Sequence, residues 1–175
     1  MWSEERGGDE AVRASDRHRV RLGYALFRIF ARRVSMFIVR TYYAQAYAHF
    51  VWAVQDRRPL LVGDIRREAY RLIGSEAVGL TCDILALGGT DDHVHLAVRL
   101  GVTASAAEIM KRVKGVSSHC LREGNTALDF RWQKGYGFFT YSNRDRPAIQ
   151  RYIAMQEQRH GANRLWPTLE RIEMD

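Results

Sequence analysis

Between Tyr42 and His160 the hydrophobic pattern switches period several times, and this alternation restricts the fold more than any other feature of the chain. Strand side chains alternate between two faces, whereas helical side chains recur every three to four residues, so the period of each segment indicates its type. Tyr42 to Val54 reads as a strand, with Ala44, Ala46, Ala48, Phe50, Trp52 and Val54 on one face and Gln45, Tyr47 and His49 on the other. Leu60 to Ile73, after Pro59, reads as a helix carrying Arg66, Arg67 and Arg71 on its outer side. Gly79 to Leu87 and His93 to Leu100 read as two strands of a hairpin whose turn is Gly88 to Asp92. Ser105, with Glu108 three residues on, caps a second helix to about Glu123. Ile109, Val113, Val116, Cys120 and Leu121 form its apolar stripe, with Lys111, Lys114, Ser118 and Arg122 as a polar ridge opposite. Tyr136 to Tyr141 follows as a fourth strand, and Asp145 with Pro147 opens a third helix that continues to about His160. The order β-α-β-β-α-β-α predicts an α+β fold: a ferredoxin-like antiparallel sheet with an additional C-terminal helix.

The chain is 175 residues long, enough for one well-buried core without staples. It carries 27 Lys and Arg against 20 Asp and Glu, a formal +7, which points to a polyanionic partner. Only Lys111, Lys114 and Lys134 are lysines; the other basic residues are arginines, whose planar fork suits phosphate oxygens and base edges, although a GC-rich genome also favours arginine codons. Two cysteines, Cys82 and Cys120, exclude a disulfide framework and a four-cysteine zinc site and agree with a reducing, cytoplasmic compartment. Residues 1 to about 17 read as a flexible tail, and Leu22, Leu26, Ile29, Phe30 and Phe37 mark a basic amphipathic helix. This extension, residues 1–40, reads as a membrane-surface or nucleic-acid arm, a mitochondrial transit peptide, or an over-extended start with Met36 as the alternative. Its apolar run Val34 to Val39 is far below the roughly 20 residues of a membrane span, and no stable membrane association is expected. Residues 41–166 are expected to form the compact domain and 167–175 a C-terminal tail.

In His93-Val94-His95 both imidazoles project from one strand face, which is half a metal site, with Asp91 or Asp92 adjacent to fix a tautomer. Alone, such a pair is also an ordinary structural feature of a strand end. On the third helix Tyr152 and Gln156 are four residues apart and share a face, with His160 one turn further as a substitute ligand. If that helix crosses the sheet face bearing His93 and His95, Gln156 completes three ligands and Tyr152 lies one turn away. A phenol with a pKa of about 10 is a poor nucleophile, so attack on a phosphodiester calls for a divalent ion to polarise the phosphate or stabilise the leaving oxygen.

These residues, taken in order, resemble a known family. Tyr47 to Ala53, Asp91-Asp92-His93-Val94-His95-Leu96, Lys111 to Gly115, Trp132 to Tyr136, and Tyr152, Ile153 and Gln156 together resemble the single-strand tyrosine transposases of the insertion-sequence 200/605 type, within the endonuclease superfamily named for its His-hydrophobic-His signature. The resemblance spans about Thr41 to Trp166. It implies that His93, His95 and Gln156 bind a divalent metal, Mg or Mn, and that Tyr152 attacks the DNA backbone to give a 5′-phosphotyrosine and a free 3′-hydroxyl. It further implies a homodimer acting on single-stranded DNA at hairpin-marked ends, with the catalytic helix serving either its own or the partner's histidines. The N-terminal extension departs from the family pattern.

Arg57, Arg58, Lys111, Arg112, Lys114, Arg122, Arg131 and Lys134 are the candidate nucleic-acid contacts, with Trp132 and Tyr136 placed either to stack on bases or to close the core. No phosphate-binding glycine loop, serine elbow or helical His-Glu-x-x-His is present. Three alternatives remain at this level, the weakest being a peripheral membrane protein driven by residues 18–40; the other two act on nucleic acid. One is a nicking enzyme acting on repeated palindromes; the other is a non-catalytic nucleic-acid-binding module on the same kind of sheet.

Overall fold

The structure is a computed structural model that describes residues 43–124 and 128–172. The N-terminal tail and amphipathic helix read from the sequence lie outside the described residues, as does Tyr42. No helix among the described residues is long and apolar enough to cross a membrane.

Four strands and two long helices follow the expected order: β1 (Tyr47–Ala53), α1 (Gly63–Gly79), β2 (Asp83–Gly89), β3 (His93–Arg99), α2 (Ala106–Gly124) and β4 (Gly137–Tyr141). Among the described residues a 3-10 turn (Gln55–Arg57) follows β1, and three shorter α-helices come after β4: α3 (Arg146–Ala154), α4 (Gln156–Gly161) and α5 (Pro167–Glu170). The sheet order is β2-β3-β1-β4 with every pair antiparallel, the ferredoxin-like arrangement. Placing β3 and β1 at the centre means that the two histidines of β3 lie in the most enclosed part of the sheet.

The alternation along β1 and β3 sorts the sheet into two unlike faces. Ala48, Phe50, Trp52, Val94, Leu96 and Val98 point to one side and join Leu72, Ile73, Ile109, Met110 and Val113 of α1 and α2 in the main core. Phe50 and Trp52 are fully buried there, and burying a large apolar side chain contributes about 1.5–3 kcal/mol. Trp132 closes the core edge-on against Trp52, and its indole N–H donates to Ser117 Oγ at 2.9 Å. The other face carries His49, His93, His95 and Ala97 and is covered by Ile149, Tyr152, Ile153 and Leu169.

Several boundaries differ from the sequence reading. The first helix starts at Gly63, not at Leu60, and runs on to Gly79, because Ala77 and Val78 keep burying its inner face; the following strand therefore starts at Asp83. Gly88 and Gly89 belong to β2, which leaves Thr90 to Asp92 as the turn. On α2 the buried residues are Ile109, Met110, Val113, Ser117 and Leu121, so the stripe is rotated from the expected one and Val116 and Cys120 are half-buried. Ser105 does cap α2, accepting from Glu108 N–H at 3.2 Å. Asp145 makes no side-chain cap; its carboxylate takes the Ser142 hydroxyl at 2.7 Å instead. The C-terminal helix is not continuous: it breaks at Met155 (φ −109°, ψ 20°), whose N–H is shared between the Arg151 and Tyr152 carbonyls at 3.2 and 3.3 Å.

Candidate active site

The geometry of the histidine pair follows from β3. His93 and His95 lie on the same face of a central strand, both fully buried, with ring centroids 4.9 Å apart. Each ring has its Nδ1 tied behind it. His93 Nδ1 donates to Asp92 Oδ1 at 2.5 Å, and that carboxylate also takes the Thr90 hydroxyl at 2.6 Å. Against the upward push of burial, these two hydrogen bonds hold the Asp92 carboxyl well below the usual carboxylate range. His95 Nδ1 lies 2.9 Å from His49 Nε2, and the two rings are parallel with centroids 5.1 Å apart. Burial pushes His49 down to about 3, with His95 adding to the shift, and burial lowers His95 as well. Asp92 keeps Nδ1 of His93 protonated, so its Nε2 lone pair faces the space that His95 Nε2 also faces.

Helix α3 brings the phenol to that space. Ile149 and Ile153 seat it on the sheet, and Gly88 permits the approach: a Cβ there would stand 2.7 Å from the Ile153 carbonyl oxygen. Tyr152 is fully buried and lies edge-on to His95 with centroids 5.9 Å apart. One turn on, past the break, Gln156 Oε1 lies 3.4 Å from His93 Nε2. The four residues His93, His95, Tyr152 and Gln156 thus converge within a single chain.

A fifth group, absent from the sequence reading, sits among them. The segment read as a C-terminal tail forms α5, and its Glu170 carboxylate reaches into the centre of the cluster. Oε1 accepts a short hydrogen bond from the Tyr152 hydroxyl and one of 3.2 Å from Gln156 Nε2. Oε2 lies 3.5 Å from His93 Nε2, 3.3 Å from His95 Nε2 and 3.7 Å from His160 Nε2. Trp166 stacks on Tyr152 at 4.8 Å, and the Arg159 guanidinium lies over both rings. Burial pushes the Tyr152 phenol up to about 12, reinforced by the bond to Glu170. Burial also pushes Glu170 up, but His95 beside it and the Tyr152 hydroxyl outweigh that and bring it down to about 2. Only weak signals mark Glu170 in the sequence: a proline that starts a turn, then Leu169 to anchor it.

The donor set fits a divalent cation. His93 Nε2 and Gln156 Oε1 are both lone-pair atoms, and in the tautomer that Asp92 imposes they face each other at 3.4 Å with no proton between them. His95 Nε2 and His160 Nε2 are buried and make no hydrogen bond. Neutral imidazole nitrogens and amide or carboxylate oxygens are the donors that hold Mg, Mn and related divalent ions.

The candidate DNA contacts lie elsewhere, mostly around α2 and the 128–136 loop. Lys114 Nζ donates to the carbonyls of Gln133, Lys134 and Gly135 at 2.7, 3.3 and 2.7 Å, and burial pulls its pKa down to about 8. Arg122 reaches the Phe130 carbonyl at 3.2 Å and Ser118 Oγ at 2.8 Å. Arg57 pairs with Asp92, Arg58 and Arg131 with Asp129, and Arg112 with Glu76. Lys111 and Lys134 are exposed. Lys114, Ser118, Arg122, Arg131 and Trp132 line one open, basic groove.

Comparison with known proteins agrees with this architecture. The family model described as "Transposase IS200 like" matches residues 42–156. The ISDra2 transposase TnpA of Deinococcus radiodurans is 25% identical over 126 residues, covering 69% of this chain and 90% of that protein. A crystal structure from Deinococcus radiodurans assigned to a transposase superposes with a TM-score of 0.55 at 24% identity, over 69% of this chain and 98% of the other. A REP-associated tyrosine transposase bound to a REP hairpin superposes with a TM-score of 0.56 at 19% identity, over 72% and 75% of the two chains. At these identities the two superpositions speak to the fold.

Proposed function

From the premise that this chain belongs to the IS200-like transposase family, and so is a DNA-cleaving enzyme, we propose that it cuts and rejoins single-stranded DNA at hairpin-marked ends through a covalent 5′-phosphotyrosine. The observation that carries the reading is the convergence of Tyr152, His93, His95 and Gln156 on one buried point. A base-stacking module has no use for a phenol placed beside two lone-pair imidazoles.

Tyr152 Oη is the nucleophile. Its bond to phosphorus forms as the bond to the 3′-oxygen breaks; the phenol gives up its proton and the departing oxygen ends as a 3′-hydroxyl, so no net proton is consumed. The phosphodiester energy is kept in the phosphotyrosine, and attack by a 3′-hydroxyl of a new end restores the free phenol. His93, His95 and Gln156 would hold a divalent cation, Mg or Mn, which would supply positive charge at the phosphate. Asp92 fixes the His93 imidazole by a hydrogen bond to its Nδ1, and His49 stacks on His95 and bonds its Nδ1, so that both rings turn Nε2 to the site. Tyr152, buried and bonded to Glu170, starts as a strongly protonated phenol, so the carboxylate has to leave before a phosphate reaches Oη.

Hairpin recognition is proposed on two grounds: one structural relative is bound to a REP hairpin, and the basic groove beside α2 offers phosphate contacts. Arg131 is the exposed cation in that groove, and Lys111 and Lys134 are exposed candidates outside its lining. A homodimer is proposed from family membership alone.

The test is to incubate the protein and Mn with single-stranded oligonucleotides tiled across both strands flanking its gene, and to look for a DNA adduct that survives denaturant. The wild type should give an adduct that Tyr152→Phe, His95→Ala and chelator each abolish. Salt-sensitive binding without an adduct, at full flank coverage, would overturn the reading in favour of a binding module.

A further inference from the structure

The Glu170 carboxylate poses an electrostatic problem that the proposed reaction leaves unsolved. Its ion-pair partners are three imidazoles, those of His93, His95 and His160, rather than a lysine or an arginine. In the tautomer that Asp92 imposes, the nitrogen of His93 facing Glu170 carries a lone pair. An anionic oxygen therefore stands 3.5 Å from that lone pair, on a largely buried side chain. Such a contact is repulsive unless a positive charge sits between the atoms, and a partly buried carboxylate without compensating charge is costly.

The spacing indicates what that charge is. Neighbouring donors on a cation with bonds of about 2.1 Å lie about 3.0 Å apart in an octahedron and about 3.4 Å in a tetrahedron. The observed separations are 3.3 Å for His95 to Glu170, 3.5 Å for His93 to Glu170 and 3.4 Å for His93 to Gln156. Three separate pairs, drawn from β3, α4 and α5, thus have the spacing of donors that share one ion. The backbone supports the approach of the last of these: the Arg171 carbonyl runs so close over Gly137 that a Cβ there would meet it at 2.0 Å. Leu169, adjacent to Glu170, is buried with Ile149 and Ile153.

We propose that Glu170 is a ligand of the divalent cation in the DNA-free protein, so that the resting donor set is His93, His95, Gln156 and Glu170. This rests on the reading of His93 and His95 as a cation site. It adds a negatively charged ligand supplied from outside residues 42–156, the part of the chain that matches the family model. The carboxylate binds the cation through Oε2 and holds the Tyr152 hydroxyl through Oε1, so ligand and nucleophile are occupied by one side chain until substrate arrives.

The experiment is a calorimetric titration of the DNA-free, full-length protein with MnCl2, for the wild type, His95→Ala, Glu170→Gln and Glu170→Ala, each checked for folding by its melting curve. One equivalent of Mn should bind the wild type and none His95→Ala, while both Glu170 variants should bind at least tenfold more weakly. Water-proton relaxation supplies a second readout that a purely structural role would not move: Mn bound to Glu170→Ala should carry more exchangeable water than Mn bound to the wild type. Wild-type affinity and relaxation in both Glu170 variants, with His95→Ala inert, would overturn this assignment and leave the histidine site standing. Failure of the wild type to bind Mn would overturn both.

Discussion

Replacing Gly88 by alanine moves the nucleophile without altering any group that does chemistry. Gly88 pairs with His95 across the sheet and lies directly beneath α3. A Cβ at this position would stand 2.7 Å from the Ile153 carbonyl oxygen and 3.1 Å from its Cγ2, and the first of these is backbone that cannot rotate aside. Relief to an ordinary contact requires α3 to retreat by about 0.7 Å. Overpacking of this kind costs about 1–3 kcal/mol, which for a chain of this size lowers the melting temperature by about 3–10 °C. The retreat acts on Tyr152, the residue before Ile153, and a displacement approaching 1 Å at a reacting group costs up to about 100-fold in rate. The assay pairs thermal melting with the initial rate of adduct formation. Gly115→Ala is the control: a Cβ there meets nothing within 4 Å on α2, so this variant should be more stable by about 0.5–1 kcal/mol. A Gly88→Ala protein that melts and reacts like the wild type would refute the seating of α3 described above. One that loses stability but keeps its rate would refute the placement of the nucleophile by that seat.

Three further outcomes follow from the same geometry. Lys114→Met removes an ammonium that holds three carbonyls; with about 1.5–3 kcal/mol for a bond to a charged group and partial replacement by water at an open groove, the loss should be about 2–3 kcal/mol in urea unfolding. An unchanged urea midpoint, with a DNA-binding salt slope reduced by about one, would refute the clamp and place that ammonium on phosphate. His49→Phe keeps a ring beside His95 but removes the hydrogen-bond partner of its Nδ1; Mn affinity should fall about 10–100-fold, and an unaltered affinity would show that His95 is oriented by packing alone. Ser117→Ala leaves the buried Trp132 N–H without its acceptor and should cost about 1–3 kcal/mol, read from the loss of Trp132 fluorescence on unfolding.

The element order was legible because two faces of opposite character leave a strong period in β1 and β3: Phe50, Trp52, Val94 and Leu96 need a dry side, and His49, His93 and His95 can only lie opposite. The break at Met155 was not legible, since Met and Gln are ordinary helix formers and the cause lies in contacts far along the chain. The seat on Gly88 fixes the helix before the break, and the contacts of Gln156 with His93 and Glu170 fix the chain after it. The ridge of Lys111, Lys114, Ser118 and Arg122 was read as a face because periodicity reports direction only. That Lys114, Ser118 and Arg122 hold the 128–136 loop follows from where that loop returns. Glu170 was hidden for the same reason: a carboxylate in a four-residue helix acquires meaning only when tertiary structure brings it to the imidazoles.

The unequal covering of the two sheet faces also bears on how the molecule opens. One face is sealed by helices of 17 and 19 residues, the other by one of nine residues and two shorter turns. Amide protons should therefore fall into two exchange classes, with those of β1, β3 and α2 slowed by the full unfolding free energy and those of α3 to α5 released by a smaller, local opening. The phenol, the amide and the carboxylate all belong to the second class and the two imidazoles to the first. The chemistry lies on the seam between the part of the protein that stays shut and the part that breathes.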